Sequence, residues 1–227
     1  MLEDIDIKAV KTGMLYDSNS IRAVVDTWKS HFGDKPMPHL VCDPVCVSTS
    51  GHTLLRPDAV EAMISELFPI ASLITPNKSE AELILSCRAL PSEISSLEDM
   101  LTAAKNLLKL GPKGVLVKGG HLIVSLQDVD RLMTKYPDVR VVREGLYSEN
   151  MEILQIAEPP DTFKQLVVDV LQDSDGTTMY LNPRVDSTST HGTGCTLSAA
   201  IVCSLARGQS CKSSTNRAES ETQSCRP

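Results

Sequence analysis

An α/β fold, with a mostly parallel sheet covered by helices, is what this sequence predicts, and three observations predict it. Short apolar runs rich in Val, Ile and Leu alternate with amphipathic stretches of helical period. The segments joining them are short and marked by Gly, Pro and Asn. The chain has 227 residues, the size of one ordinary α/β domain with a sizeable core.

The elements follow in order. Ile7-Lys8-Ala9-Val10 reads as a short strand ending at Thr12-Gly13, and Ser18 as the cap of a helix with Ile21, Val24, Val25 and Trp28 on one face. Pro36 and Pro38 break the chain before a second strand, His39-Leu40-Val41-Cys42, with Asp43-Pro44 at its tip. Pro57 opens a helix that buries Val60, Met63, Ile64 and Leu67. Ala71-Ser72-Leu73-Ile74-Thr75 is a third strand, stopped by Pro76, and Asn77 caps the helix that carries Glu80, Ala81, Leu83 and Ile84. Residues 97–110 form another amphipathic helix, closed by Gly111-Pro112, and Gly114-Val115-Leu116-Val117-Lys118 is a fourth strand leading into Gly119-Gly120-His121. Residues 122–160 lose the period, and a surface insertion is expected there. Residues 166–171 and 178–181 read as paired strands around the turn Asp173-Ser174-Asp175-Gly176. One domain, 1–208, is expected, followed by a polar tail, 209–227, too poor in apolar residues to order itself.

Composition excludes several classes of function. A net charge of -7 argues against nucleic acid as the main partner. No apolar run approaches the roughly 18 residues of a membrane span. Met1 is followed by the acidic Glu3-Asp4-Ile5-Asp6, which is unlike a signal peptide. Seven cysteines without zinc spacing, with Cys42, Cys195 and Cys203 in apolar runs, suit a reducing cytosol. Cys46, Cys87, Cys211 and Cys225 carry no ligand spacing either.

The chemistry concentrates in Thr190-His191-Gly192-Thr193-Gly194-Cys195-Thr196, which runs into the small, apolar stretch 197–205. That pattern is a glycine-rich loop feeding the N-terminus of a buried helix. Such an end presents unpaired N–H groups and partial positive charge, a natural phosphate site. A titratable side chain just past the loop can take the proton of a hydroxyl that attacks the phosphate.

Five separate pieces carry a resemblance that spans residues 9–208. They are Val10-Lys11-Thr12-Gly13-Met14-Leu15, Cys42-Asp43-Pro44-Val45, Ile74-Thr75-Pro76-Asn77-Lys78-Ser79-Glu80-Ala81, Val117-Lys118-Gly119-Gly120-His121, and the loop 190–196. In this order the chain resembles the hydroxymethylpyrimidine/phosphomethylpyrimidine kinases of thiamine biosynthesis, in the ribokinase-like superfamily. The resemblance implies a three-layer α/β/α sandwich. It implies ATP and Mg2+ as cofactors, and a small pyrimidine alcohol and its phosphate as substrates. A homodimer stays open, as does a pyridoxal kinase activity. The family's leading strand, glycine-rich loop and flap glutamine have no counterpart upstream of Met1, so a sheet incomplete at its N-terminal side is expected. The polar tail stands where the family's C-terminal helix is expected. A product that only binds nucleotide, or a full-length partner, is therefore a third alternative.

The resemblance also implies roles, and each has a plainer alternative in the residues themselves. Cys195 would be the base toward the substrate hydroxymethyl group, and a helix N-terminus favours a thiolate; the alternative is a small core residue. Gly192, Thr193 and Gly194 would hold the moving phosphoryl group, or simply cap the helix. His191 has the weaker claim to a direct role. Asn77 and Glu80 share one helix face and would sit by magnesium and the nucleotide, Glu80 as metal ligand; the alternative is a capping box, which has the same spacing. Asp43, at a strand tip, would be the second acid near the metal, or a turn residue before proline. Lys118 and Gly120 would bind nucleotide, and Gly13, Met14 and Val45 would line the pyrimidine pocket with Cys195, although Met and Val are more often core. Residues 47–55 are a candidate lid.

Overall fold

The computed structural model describes residues 6–33, 36–46, 54–143, 165–184 and 192–224. The expected lid lies outside these apart from its end at 54–55, and so do His191 and residues 144–160 of the expected insertion.

Parallel β-α units build the first half. β1 (Ala9–Thr12) leads to α1 (Ser18–Phe32), and β2 (His39–Cys42) leads to α2 (Pro57–Ala62), which continues through a π-helical turn, Met63–Leu67, and a 3-10 turn, Phe68–Ile70. β3 (Leu73–Ile74) precedes α3 (Lys78–Ser86) and α4 (Leu97–Leu108); β4 (Val115–Val124) precedes α5 (Leu126–Lys135) and β5 (Arg140–Val142). β6 (Leu166–Asp173) and β7 (Gly176–Pro183) form the expected hairpin, and α6 (Thr193–Ala206) and α7 (Cys211–Ser224) follow. Among the described residues, seven strands make one sheet in the order β1-β2-β3-β4-β6-β7-β5. Neighbours from β1 to β4 are parallel, β6 is antiparallel to both β4 and β7, and β5 is parallel to β7.

The strand period of two divides the core between two faces. Leu40, Cys42, Ile74, Val115 and Val117 pack with α1 to α5. Val41, Leu73, Leu116, Leu171 and Tyr180 pack instead with Leu197, Ile201 and Leu205 of α6 and Ala218 of α7. Each such buried side chain contributes roughly 1.5–3 kcal/mol, so the Leu197–Ile201–Leu205 stripe is enough to dock α6. The three-layer expectation is met.

Several local expectations are corrected. α1 is capped by Asp17, whose carboxylate accepts from Ser20 N, while Ser18 is the first helical residue and donates to Asp58. Part of the segment expected to be an irregular insertion is the end of β4, α5 and β5, because Val129, Leu132 and Val139 reach the core. α5 has its own capping box, from Ser125 and Asp128. The expected disordered tail is α7 as far as Ser224. Its packing face is made of small residues, with Ser214, Thr215 and Ala218 buried at helical spacing. The Tyr180 hydroxyl donates to the Lys212 carbonyl at 3.2 Å, and Asn182 donates to Glu219 at 3.2 Å. Small side chains let α7 approach α6 and the sheet closely, and apolar content does not register that.

Candidate functional site

The same period of two assembles the polar cluster. Lys11, Asp43, Thr75 and Lys118 each stand two residues beyond Ala9, Val41, Leu73 and Leu116, the side chains that face α6. All four therefore come to the α6 side, at the carboxyl ends of β1, β2 and β3 and in the upper half of β4. The ladder continues past the strands to hold them there. Asp43 N donates to Thr12 O at 3.0 Å, Thr75 N to Cys42 O at 2.9 Å, and Lys118 N to Pro76 O at 2.8 Å.

Asp43 is the hub, with its side chain 2% exposed. Its Oδ1 accepts from Lys118 Nζ at 3.0 Å and from Thr75 Oγ1 at 3.2 Å. Its Oδ2 accepts from Ser198 Oγ of α6 at 3.0 Å, with Lys11 Nζ at 3.5 Å. One carboxylate thus faces two ammonium groups and two hydroxyls. Such a buried charge is tolerable only because it is both paired and hydrogen-bonded.

α6 enters on Gly192, whose φ of +86° is the left-handed conformation that glycine adopts without strain. Thr193, Gly194 and Cys195 form its first turn, the end of the helix that carries partial positive charge. A Cβ placed on Gly194 would lie 3.0 Å from Lys118 Nζ, so the lysine head rests on that turn. Cys195 is exposed, which removes the alternative of a small core residue. Burial pushes the Cys42 thiol up to about 12 and raises that of Cys46 as well, so neither supplies a thiolate.

Asn77 and Glu80 form a full capping box. Glu80 N donates to Asn77 Oδ1 at 2.9 Å and Asn77 N to Glu80 Oε2 at 2.8 Å. Glu80 is 3% exposed, and burial pushes its carboxyl up to about 7 against the pull of Lys118 and the Asn77 N–H. The folded state then binds more protons than the unfolded state between about pH 4.5 and 7, so stability falls as pH rises through that interval. Glu80→Gln should flatten this loss. Urea midpoints at about pH 4.5, 6 and 8 measure it, and an unaltered slope in the variant would assign the loss to other groups.

Asp43 and Glu80, whose carboxyl the Asp43 charge helps to raise, are two hard-oxygen groups of the kind magnesium accepts beside water and phosphate. No group of three or more His, Cys, Asp or Glu able to hold a metal occurs among the described residues.

The other predicted residues fall around this cluster. A Cβ on Gly13 would lie 3.8 Å from Lys11 Nζ, and Val45 N donates to the Asp43 carbonyl at 2.9 Å, so both adjoin it. Met14 follows Gly13 and is 55% exposed. Gly120 is exposed on the irregular stretch of β4 with open space where a Cβ would stand. The bend is set by Gly119, whose N–H donates to Asp169 at 2.7 Å and whose Cβ would meet the Val168 carbonyl oxygen at 2.1 Å. Sequence reasoning missed Lys11, Thr75 and Ser198. The strand parity shared with Asp43 is the signal that would have found the first two. A cavity of about 520 Å³, lined by Lys8, His31, His39 and Leu205 among others, opens at the opposite, N-terminal ends of β1 and β2.

Comparison with known proteins agrees with this geometry. Residues 1–151 and 159–225 match the phosphomethylpyrimidine kinase family. The hydroxymethylpyrimidine/phosphomethylpyrimidine kinase of Rhizobium meliloti is 35% identical over 208 residues, which cover 92% of this chain and 60% of that protein. The chloroplastic thiamine biosynthetic bifunctional enzyme of Arabidopsis thaliana is 33% identical over 92% of this chain and 31% of its own length. The chain thus spans less than two thirds of these curated relatives. Among solved structures, the phosphomethylpyrimidine kinase of Clostridium difficile is 30% identical with a TM-score of 0.67, covering 98% of this chain and 71% of that one. An ADP complex of Bacillus subtilis pyridoxal kinase is 27% identical with a TM-score of 0.67, covering 96% and 64%. With every residue of the Asp43 cluster and the first turn of α6 inside the matched segments, this chain belongs to the phosphomethylpyrimidine kinase family.

Proposed function

We propose that this chain carries the site for ATP-dependent phosphorylation of 4-amino-5-hydroxymethyl-2-methylpyrimidine and of its monophosphate, in thiamine biosynthesis. The observation that carries the proposal is Lys118, whose ammonium touches both Asp43 and the glycine turn that opens α6. A cation beside a helix N-terminus is built for a phosphoryl group in transit. The N–H groups of Gly192, Thr193 and Gly194 stabilise its equatorial oxygens, and Lys118 takes charge from the nucleotide phosphates. Cys195, exposed in the same turn, accepts the hydroxymethyl proton as the alcohol oxygen bonds to the γ-phosphorus and the bond to ADP breaks. Gly13, Met14 and Val45 flank the acceptor. Glu80, with Asp43, would hold Mg2+, which when bound neutralises phosphate charge. Asn77 fixes Glu80 through the capping box, and Gly120 lies toward the nucleotide.

A reducing, cytosolic setting belongs to the same proposal, supported by the free thiols of Cys42, Cys46, Cys87, Cys195, Cys203 and Cys211. A second reading, pyridoxal phosphorylation, is favoured by the likeness to the Bacillus subtilis enzyme. ADP release measured with ATP and Mg2+ in the presence of each alcohol separates the two. Faster turnover of the pyrimidine alcohol is expected. Nucleotide binding without product from either alcohol would contradict the proposal.

A further inference from the structure

We propose that Lys11 determines specificity for the phosphorylated acceptor, its ammonium binding the acceptor's own phosphate while Lys118 attends the group being transferred. This rests on the kinase function proposed above and deepens it. Lys118 Nζ lies 3.0 Å from Asp43 Oδ1 and Lys11 Nζ lies 3.5 Å from Asp43 Oδ2, so the two cations flank opposite oxygens of one carboxylate. They also face different neighbours. Lys118 meets the first turn of α6 at Gly194, whereas Lys11 adjoins Gly13, on the side assigned to the acceptor.

Charge balance sets the two apart from ordinary structural pairs. Their side chains are only 14% and 21% exposed, and Asp43 can neutralise one of them. Two ammonium groups therefore share one carboxylate, which leaves the second cation available to an anion. Lys11 makes the longer contact, beyond the roughly 2.7–2.9 Å of a good ammonium–carboxylate bond, so it is the cation readier to turn to another anion.

The two transfers need different things from the site. In the first, a neutral hydroxyl meets the γ-phosphoryl group. In the second, an acceptor phosphate oxygen forms the bond to the γ-phosphorus, the bond from that phosphorus to the ADP oxygen breaks, and ADP leaves. A dianionic acceptor phosphate loses no proton in this step. It does bring two anions together, and their repulsion in a partly buried site is several times that in water. A second cation on the acceptor side offsets it, and Lys11 is a side chain in that position.

Isothermal calorimetry on the wild-type chain, Lys11→Met and Lys11→Arg tests this with three ligands: the pyrimidine alcohol, its monophosphate and ADP. Lys11→Met should weaken the monophosphate about tenfold or more, the scale of one charge-assisted hydrogen bond. Its alcohol and ADP affinities should stay within about twofold, which also reports that the variant is folded. Lys11→Arg should retain most of the monophosphate affinity. Monophosphate binding unchanged in Lys11→Met, or lost to the same degree as the alcohol, or no better in Lys11→Arg than in Lys11→Met, would overturn the inference alone. A wild-type chain that binds neither ADP nor alcohol would instead overturn the kinase function on which it rests.

Discussion

Asp43→Ala is expected to abolish phosphoryl transfer and to cost about 3 kcal/mol of folding stability. The variant removes one acceptor from four donors at once: Lys11, Lys118, Thr75 and Ser198. Breaking a buried ion pair by deleting one partner costs roughly 3–5 kcal/mol, because the other charge is left uncompensated. The low end applies here, since both lysine side chains keep some contact with water. Loss of the Ser198 bond also removes the polar tie between the start of α6 and the strand tip, although the Leu197–Ile201–Leu205 stripe still docks the helix. Asp43→Asn separates the two effects. It keeps the volume and one acceptor oxygen but loses the charge and the second acceptor, so it should lose turnover nearly as fully while keeping more stability. Urea midpoints and ADP release measured on both variants decide it. Two stable variants, each retaining turnover, would show that Asp43 is the turn residue its place before Pro44 also suggests.

Cys195→Ala should behave in the opposite way. Turnover of the alcohol is expected to fall about a hundredfold or more, the usual contribution of a positioned general base. Folding stability should change by no more than about 0.5 kcal/mol, because the side chain is exposed and alanine is the better helix former. ADP affinity should be unchanged, since the backbone N–H groups and Lys118 remain. Steady-state rates with the alcohol, alongside calorimetry with ADP, separate a chemical role from a structural one. A variant that turns over the alcohol at the wild-type rate would remove Cys195 from the mechanism.

Much of the fold was legible because the strands are short, apolar and punctuated by Pro and Gly. β2 matched its expected bounds, and α3 began at the capping Asn77. The elements misread are those whose order comes from elsewhere. α7 hides its packing face in Ser214, Thr215 and Ala218, and α5 has only Val129 and Leu132 to bury. In the site, Cys195, Asp43, Lys118 and Glu80 were recognisable one by one from their motifs. What those motifs could not convey is that Asp43 binds two lysines. That follows from register between strands thirty or more residues apart, so the local sequence around Lys11 does not reveal its partner. Asn77 and Glu80 show the converse. The capping box is real, and burial beside Asp43 and Lys118 gives Glu80 an unusual carboxyl as well, so one spacing serves both purposes.

The position of the terminal phosphate of a non-hydrolysable ATP analogue, crystallised with this chain and Mg2+, tests the central claim most directly. The account predicts that phosphate against the N–H groups of residues 192–194, within hydrogen-bond distance of Lys118 Nζ and with Cys195 on its acceptor side. A terminal phosphate bound instead in the cavity by Lys8 and His39, at the other end of the sheet, would contradict it.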